Sequence, residues 1–90
     1  MTQAILVAGG TKGIGLAIAE RLANPGGNIF LSYAHDDAAA KAAAERINKR
    51  GATPHLIKAD VGSEAGGKGV IDAVAAKVRR LDVLVHSAAL

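Results

Sequence analysis

The sequence predicts a doubly wound α/β fold, with a parallel sheet in the strand order 3-2-1-4 held between helical layers as a three-layer α/β/α arrangement. Three observations predict it. Short apolar runs alternate with longer amphipathic stretches along all 90 residues. The first apolar run ends in a glycine-rich turn that opens a helix. No low-complexity linker or shift in composition divides the chain. Strands alternating with helices require right-handed crossovers, which place helices on both faces of a parallel sheet. A chain of this length buries one modest core, so residues 1–90 are expected to form one unit.

Each element has its own justification. The first strand is expected at Ala4–Ala8 (AILVA), a continuous apolar run too short for a stable helix and stopped by Gly9 and Gly10, as suits a strand buried on both faces. The first helix carries Ile14, Ile18 and Leu22 at four-residue spacing. It ends before Asn24-Pro25-Gly26-Gly27, which cannot continue a helix. Asn28–Ser32 is the second strand. The second helix runs from about Asp37 to Arg50 with Ala40, Ala43, Ala44 and Ile47 as its buried stripe, and Gly51 follows where a left-handed residue is wanted. Pro54–Ala59 is the third strand. The third helix presents Val70, Val74, Val78 and Leu81 on one face. Its start is the least defined, because Gly66, Gly67 and Gly69 oppose helix while Ser63 offers a cap. Asp82–His86 completes the sheet. In the order 3-2-1-4 the gap between strands 1 and 4 is the switch point where ligands bind, beside the loops after Val7, Ser32, Ala59 and Val85.

Composition removes several kinds of function. Hydrophobic residues make up 50% of the chain, yet Phe30 and Tyr33 are its only aromatic residues other than histidine, so the core must be aliphatic. There is no cysteine, which excludes disulfides, thiolate metal sites and cysteine nucleophiles. Three scattered histidines suggest no metal site. The start has no basic segment ahead of its apolar run, and no stretch approaches about 18 consecutive apolar residues, so a soluble, cytoplasmic protein is expected with no membrane partner. The net charge of +3 is spread among acidic residues. A nucleic-acid face clusters Lys and Arg instead, so nucleic acid is not an expected partner.

The chemistry-bearing motif is Gly9-Gly10-Thr11-Lys12-Gly13-Ile14-Gly15, with glycines at G-x-x-x-G-x-G spacing where a strand becomes a helix. Glycines let the backbone turn tightly and approach a pyrophosphate, and the last lets the helix pack closely on the strand. The unpaired N–H groups at the helix start then face the anion. Such a turn can also be a mere tight connection, but its place after the first strand is the setting the phosphate motif requires. Lys12-Gly13 lacks the Gly-Lys-Ser/Thr ending of a P-loop.

With its leading residue, this segment resembles the T-G-x-x-x-G-x-G motif of the short-chain dehydrogenase/reductase family, whose fold is of the Rossmann type. Ala8 stands where threonine is usual; that threonine's hydroxyl commonly helps tie the loop to a neighbouring strand. The resemblance implies an NAD(P)-binding unit whose N-terminal half spans residues 1–90, with Gly9, Thr11, Lys12, Gly13, Ile14 and Gly15 around the cofactor.

The second strand bears on which cofactor. An acidic residue near its end accepts the ribose 2′-hydroxyl of NAD, whereas a nearby cation accommodates the phosphate of NADP. Here Tyr33, Ala34 and His35 follow the strand without acidity, and Asp36 and Asp37 are better placed to cap the next helix. Lys12 lies where NADP-preferring members of the resembled family often carry a base. NADP(H) is therefore expected over NAD(H), which Asp36 would favour if it turned back over the ribose.

Asp60-Val61 resembles the family's Asp-Val pair, in which the carboxylate meets the adenine amino group. Leu81–Ala89 resembles its LDVLVNNAG segment beside the nicotinamide ribose, with His86, Ser87 and Ala88 in contact positions and Ala89 in place of glycine. The family's catalytic serine and Tyr-x-x-x-Lys have no counterpart, since Tyr33 is followed four residues on by Asp37. The glycine loop and Tyr33-Ala34 resemble 3-oxoacyl-carrier-protein reductases of fatty acid biosynthesis, and His86-Ser87 resembles the enoyl reductases. A non-catalytic dinucleotide-binding module, or an inactive fragment, is the alternative to an oxidoreductase. The fourth strand, an apolar edge, is expected to be covered by oligomerisation, strand exchange or further chain.

Overall fold

The computed structural model describes residues 3–9, 11, 13–59, 64–78 and 81–86, with backbone alone for 64–67 and 86. Strands β1 (Ala4–Ala8), β2 (Asn28–Tyr33), β3 (Thr53–Lys58) and β4 (Val83–His86) alternate with helices α1 (Gly13–Leu22), α2 (Asp37–Lys49) and α3 (Glu64–Lys77). All strand pairs are parallel, in the order β3-β2-β1-β4. The expected doubly wound arrangement is present.

Alternation along the strands divides the apolar side chains between two layers. Ile5, Val7, Ile29 and Leu31 pack with Ala19 of α1 and with Ala43 and Ile47 of α2. On the opposite face Ala4, Leu6 and Phe30 meet Val70 and Val74 of α3, as the spacing predicts; Val78 and Leu81, expected on the same helix face, lie past the end of α3 at Lys77 but pack against the same cluster. Burial of each large aliphatic side chain stabilises by roughly 1.5–3 kcal/mol. β1 is buried along its whole length, as its unbroken apolar run implies.

The packing of α1 bears out Leu22 of the expected stripe, which packs on the core, and corrects Ile14. Gly15 and Ala19 are its buried positions, and Ile14 is 77% exposed. Two small residues four apart let the helix axis approach the sheet closely, whereas Ile14 lies in the first turn, at the end of the sheet.

Boundaries shift by a residue in places. β2 extends to Tyr33, and β3 starts at Thr53 and ends at Lys58, with the Ala59 N–H still donating to the Tyr33 carbonyl at 2.8 Å. Pro54 is tolerated because β3 is an edge strand. Asp82 precedes β4 and acts as a clip. Its N–H donates to the Ala4 carbonyl and its carboxylate accepts from the Ala4 N–H, both at 2.8 Å. Helix α3 begins at Glu64 despite its glycines, and Ser63 lies outside the described residues.

The amino-terminal ends of the strands are knitted by the two helix-to-strand connections. The Gly26 N–H donates to the Gly51 carbonyl at 3.0 Å, and the Thr53 N–H donates to the Gly27 carbonyl at 2.8 Å. Gly26 and Gly51 hold φ of 82° and 85°, the left-handed region that glycine enters without a Cβ clash. Beside them, His55 stacks on Phe30 with ring centroids 4.5 Å apart, and its Nε2 lies 2.9 Å from Asn28 Oδ1. Burial, and secondarily the Lys77 charge, hold the His55 pKa below its ordinary value.

Candidate functional site

The parallel sheet brings the carboxyl ends of the strands side by side, and register places Ala8 between Ser32 on one flank and His86 on the other. The turn leaving β1 begins at Gly9, whose φ of 77° requires glycine. Its N–H donates to the carbonyl and to the Oγ of Ser32, each at 3.1 Å. Thr11 is buried within the turn. Gly13, at φ 52°, opens α1, and no acidic residue lies in that helix's first turn. The N–H groups that open a helix whose own first turn carries no acid suit an anion. Gly15 is buried and Ile14 stands exposed at the same end.

A second group of side chains follows β2. Asp36 caps α2, its Oδ1 accepting from the Ala39 N–H at 3.0 Å. The Tyr33 hydroxyl donates to Asp37 Oδ1 at 2.9 Å, and Lys58 Nζ, at the end of β3 and in register with Tyr33, lies 3.2 Å from Asp37 Oδ2. The hydrogen bond from Tyr33, then that from Lys58, holds the Asp37 carboxyl below its ordinary range. Conversely, the bond to Asp37 pushes the Tyr33 phenol up. This is the opposite of what a tyrosine proton donor needs. Ala34 and His35 form an exposed bend between strand and helix.

The structure thus brings Gly9, Thr11, Gly13, Ile14 and Gly15 to one end of the sheet, with Tyr33, Ala34 and His35 at the end of the adjoining strand. Lys12, Asp60, Val61, Ser87 and Ala88 lie outside the described residues, and His86 is described only as a β4 backbone position opposite Ala8. Sequence reasoning missed Ser32 and Lys58. The signal for Ser32 was a hydroxyl in an otherwise apolar strand; that for Lys58 was a cation at a strand end. Among the described residues no group of three or more His, Cys, Asp or Glu could hold a metal ion, and no helix is long and apolar enough to cross a membrane.

Comparison with known proteins agrees with this geometry. The 3-oxoacyl-[acyl-carrier-protein] reductase FabG of Staphylococcus aureus is 38% identical over 88 residues, covering 98% of this chain and 36% of the relative. Cyclopentanol dehydrogenase of Comamonas testosteroni is 35% identical over 86 residues, covering 96% and 34%. Among solved structures, a Serratia marcescens short-chain dehydrogenase/reductase matches with a TM-score of 0.89 at 32% identity, covering 98% of this chain and 36% of that one. L-Sorbose reductase of Gluconobacter frateurii, solved with NADPH and L-sorbose, matches at 0.88 and 30% identity, covering 99% and 34%. The chain therefore spans little more than a third of the length of these relatives. The short chain dehydrogenase family itself matches over residues 3–90. With the strand order, the glycine turn and the sequence in agreement, the chain belongs to the short-chain dehydrogenase/reductase family of oxidoreductases.

Proposed function

We propose that residues 1–90 are the N-terminal half of an NADP(H)-binding domain, in a protein that reduces a carbonyl such as a 3-oxoacyl thioester. The observation that carries the NADP(H) assignment is the disposition of the two acids after β2. Asp36 is turned toward its own helix to cap Ala39, and Asp37 is shared between Tyr33 and Lys58. Both carboxylates are engaged by the protein's own groups, neither set aside as the ribose acceptor that NAD requires, and Lys58 offsets the Asp37 charge at the same strand ends. The likeness to an NADPH-bound L-sorbose reductase and to a 3-oxoacyl reductase supports the same reading.

In this reading the N–H groups of the Gly9–Gly15 turn and the start of α1 receive the pyrophosphate, with Thr11, Lys12 and Ile14 around it. Tyr33, Ala34 and His35 border the adenosine ribose and its phosphate, Asp60 and Val61 the adenine, and His86, Ser87 and Ala88 the nicotinamide ribose. Bound NADPH supplies the hydride, and these residues fix its orientation. We place the protein in the cytoplasm, where the dinucleotide is available, and propose self-association through β4.

Titration with NADPH and NADH, followed by nicotinamide fluorescence, tests the cofactor assignment. NADPH is expected to bind about tenfold more tightly, equivalent to roughly 1.4 kcal/mol. Lys12→Ala is expected to remove most of that preference. NADH binding as tightly as NADPH overturns the assignment.

A further inference from the structure

We propose that Ser32 is a positioning residue for the turn between β1 and α1, its buried hydroxyl fixing the orientation of the Gly9 peptide so that the turn is formed before a dinucleotide arrives. The proposal rests on the dinucleotide-binding reading of that turn. Ser32 is 0% exposed and follows Ile29, Phe30 and Leu31, which are also buried. A hydroxyl placed in such surroundings costs about 1–3 kcal/mol unless it is hydrogen-bonded, so a buried serine at this point needs a partner. Its partner is the Gly9 N–H at 3.1 Å, across 23 residues of sequence.

That bond is not required to satisfy Gly9. The same N–H already reaches the Ser32 carbonyl at 3.1 Å, continuing the ladder between β1 and β2. The hydroxyl therefore supplies a second acceptor to one donor, and two acceptors on one residue define the direction of the N–H more narrowly than the carbonyl alone. Gly9 is where this matters. At φ 77° it is the first residue after β1 to leave extended geometry, and glycine there has more conformational freedom than any other residue. Ala8, the residue before Gly9, is in register with Ser32, so the hydroxyl acts on the turn from the strand directly beside it. Holding an anion-binding turn in one shape lowers the ordering cost of binding.

Ser32→Ala removes the second acceptor and leaves the backbone carbonyl, so it orphans no donor. Ser32→Cys keeps nearly the same volume with a much weaker acceptor. Ser32→Thr keeps the hydroxyl. Amide hydrogen exchange of Gly9 and Val7 in the intact chain, with NADPH affinity alongside, separates the possibilities. In the Ala and Cys variants Gly9 exchange is expected to rise about three- to tenfold, with NADPH affinity falling by a similar factor. Val7 exchange stays as in the parent, and Ser32→Thr behaves as the parent does. Gly9 exchange within about twofold of the parent in both variants overturns the proposal. So does an equal rise at Val7, which would mean that the hydroxyl supports the sheet and not the turn. If the parent chain fails to bind NADPH, the cofactor reading falls, while Gly9 exchange still decides whether Ser32 holds the turn.

Discussion

His55 occupies a position where its charge is opposed from two sides. It is partly buried against Phe30, and Lys77 of α3 adds a like charge, so the neutral ring is favoured in the folded chain. A histidine whose folded pKa is depressed contributes stability that is present above its unfolded value and lost as pH falls through the folded one. The denaturant midpoint is thus expected to drop as pH falls below about 6.5. His55→Phe retains a ring over Phe30 and removes this contribution. Urea unfolding at neutral and mildly acidic pH, compared between parent and variant, checks the difference in slope. No such dependence could be read from the sequence, because Phe30 and His55 become neighbours only through the parallel register of β2 and β3.

At the scale of elements, the two connections beneath the sheet set distinct tolerances for their glycines. A Cβ on Gly26 meets open space, so Gly26→Ala carries only the backbone strain of a left-handed residue, about 1–2 kcal/mol. A Cβ on Gly51 comes within 3.3 Å of the Pro25 Cα, a backbone atom, and Gly51→Ala is expected to be the more destabilising of the two. Urea midpoints order them. The same scale shows how far the sequence could be read. Gly51 past α2, the valine stripe of α3 and the glycine turn after β1 were all legible, because each is a local pattern with a local cause. The α1 stripe was legible only in part, since Leu22 packs on the core but Ile14 does not. Ile14, Ile18 and Leu22 have the spacing of a buried face, but close approach to the sheet selects Gly15 and Ala19. Ser32 with Gly9, and Lys58 with Asp37, lie 23 and 21 residues apart and meet only because strands pair in parallel. The acids after β2 were half legible: capping by Asp36 follows from its position, whereas the division of Asp37 between Tyr33 and Lys58 requires the fold.

At the scale of the whole chain, the β4 edge of the sheet is the dominant feature. Among the described residues β4 pairs with β1 alone, and Leu84 is 57% exposed. Val83 and Val85 point to the other face and pack against its cluster, so the exposed group is confined to the α3 side of β4. A parallel edge with an apolar side chain invites pairing. The chain is expected to self-associate in sedimentation at micromolar concentration, and Leu84→Lys is expected to shift it toward the monomer. A parent chain that sediments as a monomer overturns the proposed association.

The pairing of Tyr33 with Asp37 has an optical consequence. The chain has one tyrosine and no tryptophan, so its intrinsic ultraviolet emission is that of a single phenol. That phenol sits at the end of β2 and donates to a carboxylate that Lys58 also engages. Any molecule that settles at this strand end and redistributes the Asp37 contacts is expected to change the emission of this chain. Occupancy at the adenosine end of the proposed site can therefore be followed with light, without a label and without reliance on the nicotinamide ring.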